Sequence, residues 1–406
     1  MTTITPPKYI ISVLSRLTSR GFDAYIVGGS VRDAVMKRSP GDWDVSTSAT
    51  PGDVVEIFEK TVLTGEKFGT VTVVLNQCTV EVTTFRTDGD YHDSRHPQSV
   101  EFVTDINEDL SRRDFTINAM AASIDGEIID LFGGINDIKE GVIRCVGNPE
   151  KRFAEDALRM FRAFRFSAQL GFKIEKETLS AIKAGAANPV DISAERIQTE
   201  IEKTLMSQRP EIVGEIIKAG LMHRFISGSY KNSVGLCRVS KLPDEIILRW
   251  GALCAVLLDE NCIESAKVFL RELRSDSKTI KIVHTALSIQ KFTTDRIGQK
   301  RLLAKYGAPA VRLAAAVNDI RNGESLSSLV SIYSIVTGGE CFSLEKLAVK
   351  GKDLIETGHK QGAELGAVLN KLLDYVIVNP DQNKREILLN LVKTNNYDSI
   401  MQKDYR

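Results

Sequence analysis

The stretch Ala24-Tyr25-Ile26-Val27-Gly28-Gly29-Ser30-Val31-Arg32-Asp33, with Asp42-Trp43-Asp44 close behind it, decides the reading of this chain. Ala24 to Val27 is a short apolar strand that stops at two glycines, and Val31 to Lys37 has helical spacing. Glycines at such a turn let the backbone approach a ligand. The amides of a helix N-terminus bind anions, and Arg32 can add a bidentate phosphate contact. Alone, the same residues also fit a plain tight turn carrying a surface Arg–Asp pair. A dinucleotide fingerprint is disfavoured, because G-x-G-x-x-G is absent. Trp43 to Ser46 reads as a second strand, and residues two apart on a strand share a face, so Asp42 and Asp44 project together. Such a pair is costly without a cation or strong donors, and magnesium is its natural guest, being a hard ion that takes carboxylates and nucleotide phosphates. An isolated Asp-x-Asp is more often a solvated turn; its place after the Gly-Gly turn favours the metal.

Outward from this centre the first third is mixed α/β. Lys8 to Ser19 is helical, and Pro51 to Phe58 is a helix opened by Thr50 as cap with proline in its first turn. Runs rich in β-branched residues follow at Gly69 to Leu75, Cys78 to Phe85 and Val100 to Val103. Glu81 lies in a strand expected beside that of Asp42 and Asp44, as a further metal ligand, a base or a polar residue on an exposed face. After Phe132-Gly133-Gly134 the strand signals fade. From Asn148 the pattern is nearly all helical, with one long amphipathic helix over Glu150 to Gln169, stopped by Gly171, and another over Ser193 to Met206. No fixed period repeats, so a solenoid is not indicated. The expected class is α+β, a small α/β head on a long helical body.

Two further groups could carry chemistry. Arg112-Arg113-Asp114-Phe-Thr-Ile-Asn118-Ala119 offers arginines for a triphosphate and a carboxylate for a ribose hydroxyl, or else a charge cluster at a helix entry. Glu155-Asp156-x-x-Arg159-x-x-Arg162-x-x-Arg165 lies on the long helix. Steps of three rotate by about 300°, so adjacent members neighbour one another while the row winds round. An Asp–Arg pair there can imitate the edge of a nucleobase, although i+3 and i+4 surface ion pairs explain the same spacing.

Composition removes other classes. With 43% hydrophobic and 26% charged residues the chain is neither disordered nor fibrous. The 53 basic and 53 acidic side chains cancel, so any nucleic-acid contact must use a local basic surface. Its longest uncharged apolar run, Trp250 to Leu258, is far below the roughly 18 residues of a membrane helix. Met1 to Lys8 shows no signal-peptide pattern, so a soluble, intracellular protein is expected. The six cysteines form no CxxC pair and the five histidines do not cluster, which argues against zinc and against a disulfide framework.

Taken in order, these motifs resemble the class II tRNA nucleotidyltransferases and their sister bacterial poly(A) polymerases. The matching pieces are Gly28-Gly29-Ser-Val-Arg32-Asp33, Asp42-Trp-Asp44, Arg112-Arg113-Asp114 through Asn118-Ala119, Asp130-Leu-Phe-Gly-Gly134 and Glu155-Asp156-Ala-Leu-Arg159. Ile192-Ser-x-Glu195-Arg196-Ile197 and Gly351-Lys-Asp353-Leu354 look like later landmarks. The resemblance implies a polymerase-β-like nucleotidyltransferase head over 1–147, a helical neck over 148–206, a body over 207–325 and a tail over 326–406. It further implies Mg2+ on Asp42 and Asp44, a phosphate turn at Gly28, Gly29 and Arg32, nucleotide contact by Arg113, and Asp114 facing the ribose. Asp156 and Arg159 match an amino-acid template for the incoming base, with Arg162 and Arg165 as further nucleotide contacts. Asp88 to Pro97 resembles the loop that helps such enzymes switch from CTP to ATP. The implied reaction is addition of the 3′-terminal CCA to tRNA from CTP and ATP in the cytoplasm, with no membrane partner and with a homodimer left open. CC-only or A-only addition and poly(A) synthesis are the alternatives. Ala157, where poly(A) polymerases tend to carry proline, and the mixed-charge C-terminal segment favour tRNA.

Overall fold

Residues 3–76, 78–89, 100–187, 192–231, 234–323 and 325–394 are described in the computed structural model of this chain. Residues 90–97 of the expected switching loop lie outside them. The chain divides into two units, Met1–Arg224 and Phe225–Arg406.

The first unit is built on a seven-stranded sheet. Its strands are β1 (Ala24–Val27), β2 (Asp44–Thr47), β3 (Thr61–Gly65), β4 (Thr70–Val74) and β5 (Thr79–Thr84); β6 (Arg86–Asp88) and β7 (Val100–Phe102) form a separate antiparallel pair; β8 (Met120–Ala122) and β9 (Ile128–Asp130) complete the large sheet. The order is β3-β4-β5-β2-β1-β8-β9, antiparallel except where β2 runs parallel to β5 with Val45 opposite Val82. Glu81 therefore sits one step along from Val82 as Asp44 does from Val45, so the expected neighbourhood of the two strands is found.

Alternation decides what each face does. Ile26, Val45, Val71, Val73, Val80 and Val82 point to one side and form a single core. Onto it pack α1 (Lys8–Thr18), through Ile10, Val13, Leu14 and Leu17, and α2 (Gly29–Val35) and α3 (Pro51–Ile57), through Val31 and Val54. Each such aliphatic side chain contributes about 1.5–3 kcal/mol of burial before the entropy of ordering is counted. The intervening residues, Asp44, Ser46, Thr70, Glu81 and Thr83, are polar and face the other side, where they line a cavity. Beside them a smaller cluster of Val27, Phe85 and Ala121 is covered by Ile106 and Leu110 of α4 (Ile106–Ser111). Thr50 caps α3 in a reciprocal box with Asp53, as its sequence position indicates.

Helix α5 (Gly134–Glu140) closes the head, and helices then take over. The single helix expected over Glu150–Gln169 is in fact two, α6 (Pro149–Glu155) and α7 (Leu158–Leu170). At the break Asp156 is extended, with φ −143° and ψ 103°. Its carboxylate accepts the Leu158 N–H at 3.1 Å and the Arg196 guanidinium at 2.9 Å. Short side chains that bond nearby backbone offer it an alternative to the helical ladder, and a distant cation fixes the choice. Helix α8 (Lys176–Ala187) follows, and Arg196 is on α9 (Ala194–Leu205), whose N-cap Ser193 makes no side-chain capping bond.

Beyond Ile174 the described residues contain no strand. In the second unit the helix Ile246–Asp259 buries Trp250, Leu253 and Leu257. It packs closely on Ala308–Asn322: a Cβ at Gly251 would run into Leu313. A separate apolar cluster, including Leu354, Leu372, Val376 and Leu388, holds the helices from Gly351 onward.

Candidate active site

The polar face of the sheet is the floor of a cavity of ≈560 Å³, walled by the turn at Gly28, the segment after α4 and the start of α7. Of the residues singled out in the sequence, Gly28, Gly29, Arg32, Asp44, Arg113, Asp114, Asp156, Arg159 and Arg162 all line it.

Gly28 caps α2 with φ +74°, a conformation that L side chains rarely adopt, and a Cβ there would lie 3.0 Å from Nη1 of Arg113. The turn is thus bare so that an arginine can lie over it. Arg113 is held from its other end by Oδ2 of Asp109 at 3.0 Å, and its Nη2 lies 3.4 Å from the Ser46 hydroxyl. Arg32 donates to Asp33 at 2.9 Å and to Asn118 Oδ1 at 2.7 Å, and its guanidinium lies over the Phe166 ring. Two fixed guanidiniums at a glycine turn are a phosphate-binding arrangement.

The strand β2 begins at Asp44, so Asp42 lies in the segment before it and does not line the cavity. The two carboxylates are not two steps along one strand, as the sequence pattern alone implies. Their charges still interact: enclosure by the cavity walls and then the charge of Glu81 push the Asp44 carboxyl up, Arg113 pulls it down, and Asp42 pushes it up further. Among the described residues no three acidic, histidine or cysteine side chains converge as a ready-made metal cage. A carboxylate that burial and two neighbouring carboxylates push up does fit a hard divalent cation that keeps several waters and takes further ligands from a phosphate substrate.

Asp114 is 8% exposed and accepts Nε and Nη2 of Arg162 at 2.7 and 2.6 Å on one oxygen. Its other oxygen accepts the Phe115 N–H at 2.9 Å and Asn118 Nδ2 at 3.3 Å. Burial works to raise this carboxyl, but Arg162 by charge and hydrogen bond, then Arg159 and Asn118, bring it down to about 2. Arg159 spans the break between α6 and α7. Its Nη1 donates to Glu155 at 2.7 Å and to the Arg152 carbonyl at 3.1 Å, and Nη2 donates to the Arg112 carbonyl at 3.0 Å. Asp156 and Arg159 reach the same cavity without pairing with each other, one held by Arg196 and the other by Glu155. Arg165 does not line it: its Nε is 2.6 Å from Glu200 and its guanidinium lies 4.0 Å from the Phe166 ring centroid.

Four residues that the sequence reading did not assign to the site hold it in shape. Arg196 holds Asp156, Asp109 holds both Arg112 and Arg113, Asn118 bridges Arg32 and Asp114, and Phe166 lies under three arginines. Asn118 and Arg196 sit inside motifs quoted above, which is the signal that was there to use. Asp109 and Phe166 look in sequence like an ordinary helical acid and a core aromatic.

The family model for the poly(A) polymerase head domain matches residues 24–144, that for a probable RNA- and SrmB-binding site of polymerase A matches 171–228, and that for a putative second domain of tRNA nucleotidyltransferases matches 244–392. The head is thus that of a nucleotidyltransferase. The chain is 37% identical over 393 residues to the CCA-adding enzyme of Limosilactobacillus fermentum, covering 93% of this chain and 94% of that one. It is 39% identical to the CCA-adding enzyme of Bacillus subtilis, covering 85% and 87%. The crystal structure of the Bacillus stearothermophilus CCA-adding enzyme in complex with CTP superposes with a TM-score of 0.80 at 32% identity, covering 96% of this chain and 98% of that one. The chain belongs to the family of CCA-adding enzymes, the tRNA nucleotidyltransferases. Membership in this nucleotidyltransferase family implies dependence on a divalent metal.

Proposed function

We infer that this protein adds the 3′-terminal CCA to tRNA, using CTP and ATP and releasing pyrophosphate, with amino-acid side chains in the role of a template. The observation that carries the reading is the break at Asp156. It brings a carboxylate and the Arg159 guanidinium, each tied down by a different partner, into the cavity that also holds Asp44, Arg113 and the Gly28 turn. Fixed donors and acceptors of this kind reject a wrong base by leaving buried polar groups unpaired. The relative solved with CTP supports a nucleotide in this cavity.

In this reading Gly28, Gly29, Arg32 and Arg113 bind the triphosphate, Asp114 and Arg162 bound the ribose side, and Asp156 and Arg159 read the base. Arg165 acts from outside, through the Phe166 ring on which Arg162 also rests. Asp42 and Asp44 would hold Mg2+, which when bound activates the RNA 3′-hydroxyl and stabilises the leaving pyrophosphate. Arg113 beside Asp44 neutralises the triphosphate, and its charge favours the ionised form of that carboxylate against burial and Glu81. A neck over 148–206 carries base recognition, and a body and tail over 207–325 and 326–406 hold the tRNA acceptor arm through phosphate contacts. Its substrate implies a cytoplasmic enzyme, and no helix among the described residues is long and apolar enough to cross a membrane.

Primer extension tests the reading, with purified protein, magnesium and labelled CTP or ATP given separately and together. Addition of two C and one A to tRNA lacking its 3′ end, stopping there, is the expected result. Long A tails on an unstructured RNA would move the assignment to a poly(A) polymerase. C without A, or A without C, would move it to a partial enzyme.

A further inference from the structure

The carboxylate of Asp109 is fully buried and serves two masters. Its Oδ1 accepts Nε and Nη2 of Arg112 at 3.1 and 2.7 Å, and its Oδ2 accepts Nη2 of Arg113 at 3.0 Å. From there two arms run to opposite ends of the cavity. Arg113 continues to Ser46 on β2 and lies over Gly28, the phosphate end. Arg112 donates also to the Arg86 carbonyl at 3.0 Å, and its own carbonyl accepts Nη2 of Arg159 at 3.0 Å, the base end. We propose that Asp109 is a positioning residue that sets the triphosphate-binding arginine and the base-reading arginine in one mutual register, although it touches neither part of the nucleotide. The inference rests on the nucleotide pocket proposed above.

Simple electrostatics makes the opposite forecast, which is what makes the proposal sharp. One carboxylate against two guanidiniums leaves one surplus positive charge facing the cavity. If Asp109 were only a counter-charge, neutralising it would increase that surplus and tighten the binding of a triphosphate. If it positions, its loss lets Arg113 swing from the Gly28 turn and lets the Arg112 peptide shift under Arg159. Triphosphate affinity and base choice then fall together.

The test is Asp109→Asn, which keeps the shape and one acceptor. Steady-state kinetics with CTP, ATP and UTP are combined with calorimetric binding of inorganic triphosphate and a melting curve. The expected result is a KM for CTP and ATP raised about tenfold with kcat changed less than about threefold, a CTP-over-UTP preference reduced about tenfold, and weaker triphosphate binding. A folded variant with unchanged or tighter triphosphate binding and unchanged base preference overturns the proposal. If Asp109→Asn does not fold, Arg112→Lys takes its place. It keeps the charge beside Asp109 but replaces the planar fork, whose Nε and Nη2 both bond that carboxylate, by a single nitrogen that cannot occupy both positions. Wild-type base preference and triphosphate affinity in Arg112→Lys overturn the proposal equally, and reduced base preference supports it. Wild-type protein that binds no triphosphate at all would instead sink the pocket reading itself, and this inference with it.

Discussion

Two N–H groups of Arg162, Nε at 2.7 Å and Nη2 at 2.6 Å, converge on a single oxygen of Asp114. The contact joins α7 to the segment that leads from α4 into β8, so the helix proposed to read the base is bolted to the segment that carries Arg113, proposed to bind the triphosphate. Its strength is charge-assisted and buried on the carboxylate side.

That pair has a pH signature. Asp114 has its carboxyl lowered from 3.8 to about 2 in the folded protein. A depressed carboxyl contributes stability that is complete above its unfolded pKa and is lost as pH falls through its folded one. The shift corresponds to roughly 2 kcal/mol, an order-of-magnitude figure. Asp109, lowered by its two arginines against the opposing effect of burial, acts in the same direction. Melting temperature should therefore fall between about pH 4 and pH 2, and Asp114→Asn should flatten part of that slope. Identical pH profiles for the two proteins would contradict the assignment.

Arg159→Ala should relax base choice more than it slows transfer. Losing hydrogen bonds from a fixed guanidinium removes about 1–3 kcal/mol of discrimination, a ten- to hundredfold drop in CTP-over-UTP preference. Competition between the four nucleotides on one tRNA measures it. Uniform loss for all four, in folded protein, would count against a template role.

Asp156 and Arg196 should behave as a unit, since one holds the other across 40 residues at 2.9 Å. Arg196→Ala and Asp156→Ala, each measured for base preference, should each do nearly the damage of the double variant, with a coupling of about 1 kcal/mol or more. Strict additivity would mean that Arg196 does not orient the carboxylate.

Asp44→Asn should abolish incorporation, by about a thousandfold or more if the metal-binding assignment is right. Without metal it should leave the melting temperature equal or higher at neutral pH. A carboxyl pushed up by enclosure and by Glu81 is destabilised in its ionised form, and the amide relieves that. Loss of stability accompanying loss of activity would point to a structural role instead.

Gly28→Ala should raise the nucleotide KM and cost about 1–2 kcal/mol of stability, because a side chain is forced into φ +74° and against Arg113. Chemical denaturation and KM for CTP measure the two effects separately. A variant with wild-type KM would show that Arg113 need not lie over the turn.

The sequence made the core of the head legible because its strands alternate. Ala24 to Val27 stops where its glycines are, and Asp44 and Glu81 stand in polar register between valines. Met120 to Ala122 gives no strand signal because alanine is a weak strand former, and only burial against β1 and β9 makes it a strand. The break at Asp156 is hidden in the sequence for a different reason. Every residue around it is a fair helix former, and what opens the helix is a cation brought by α9. The resemblance implies a nucleotide contact for Arg165, whereas a step of three from Arg162 carries its side chain round to Glu200.

The two-faced sheet has a consequence for how this protein can change its length. Along β2 and β5 the valines Val45, Val80 and Val82 belong to the greasy core, while Asp44, Ser46, Glu81 and Thr83 between them face the cavity. One residue gained or lost between Asp44 and Thr47 would turn over the residues on one side of it, sending Val45 into the cavity or the Asp44 carboxylate into the core. The connection over 38–41, which precedes both Asp42 and Asp44 and has no such alternation to keep, is where the chain can lengthen or shorten without rewriting the reaction.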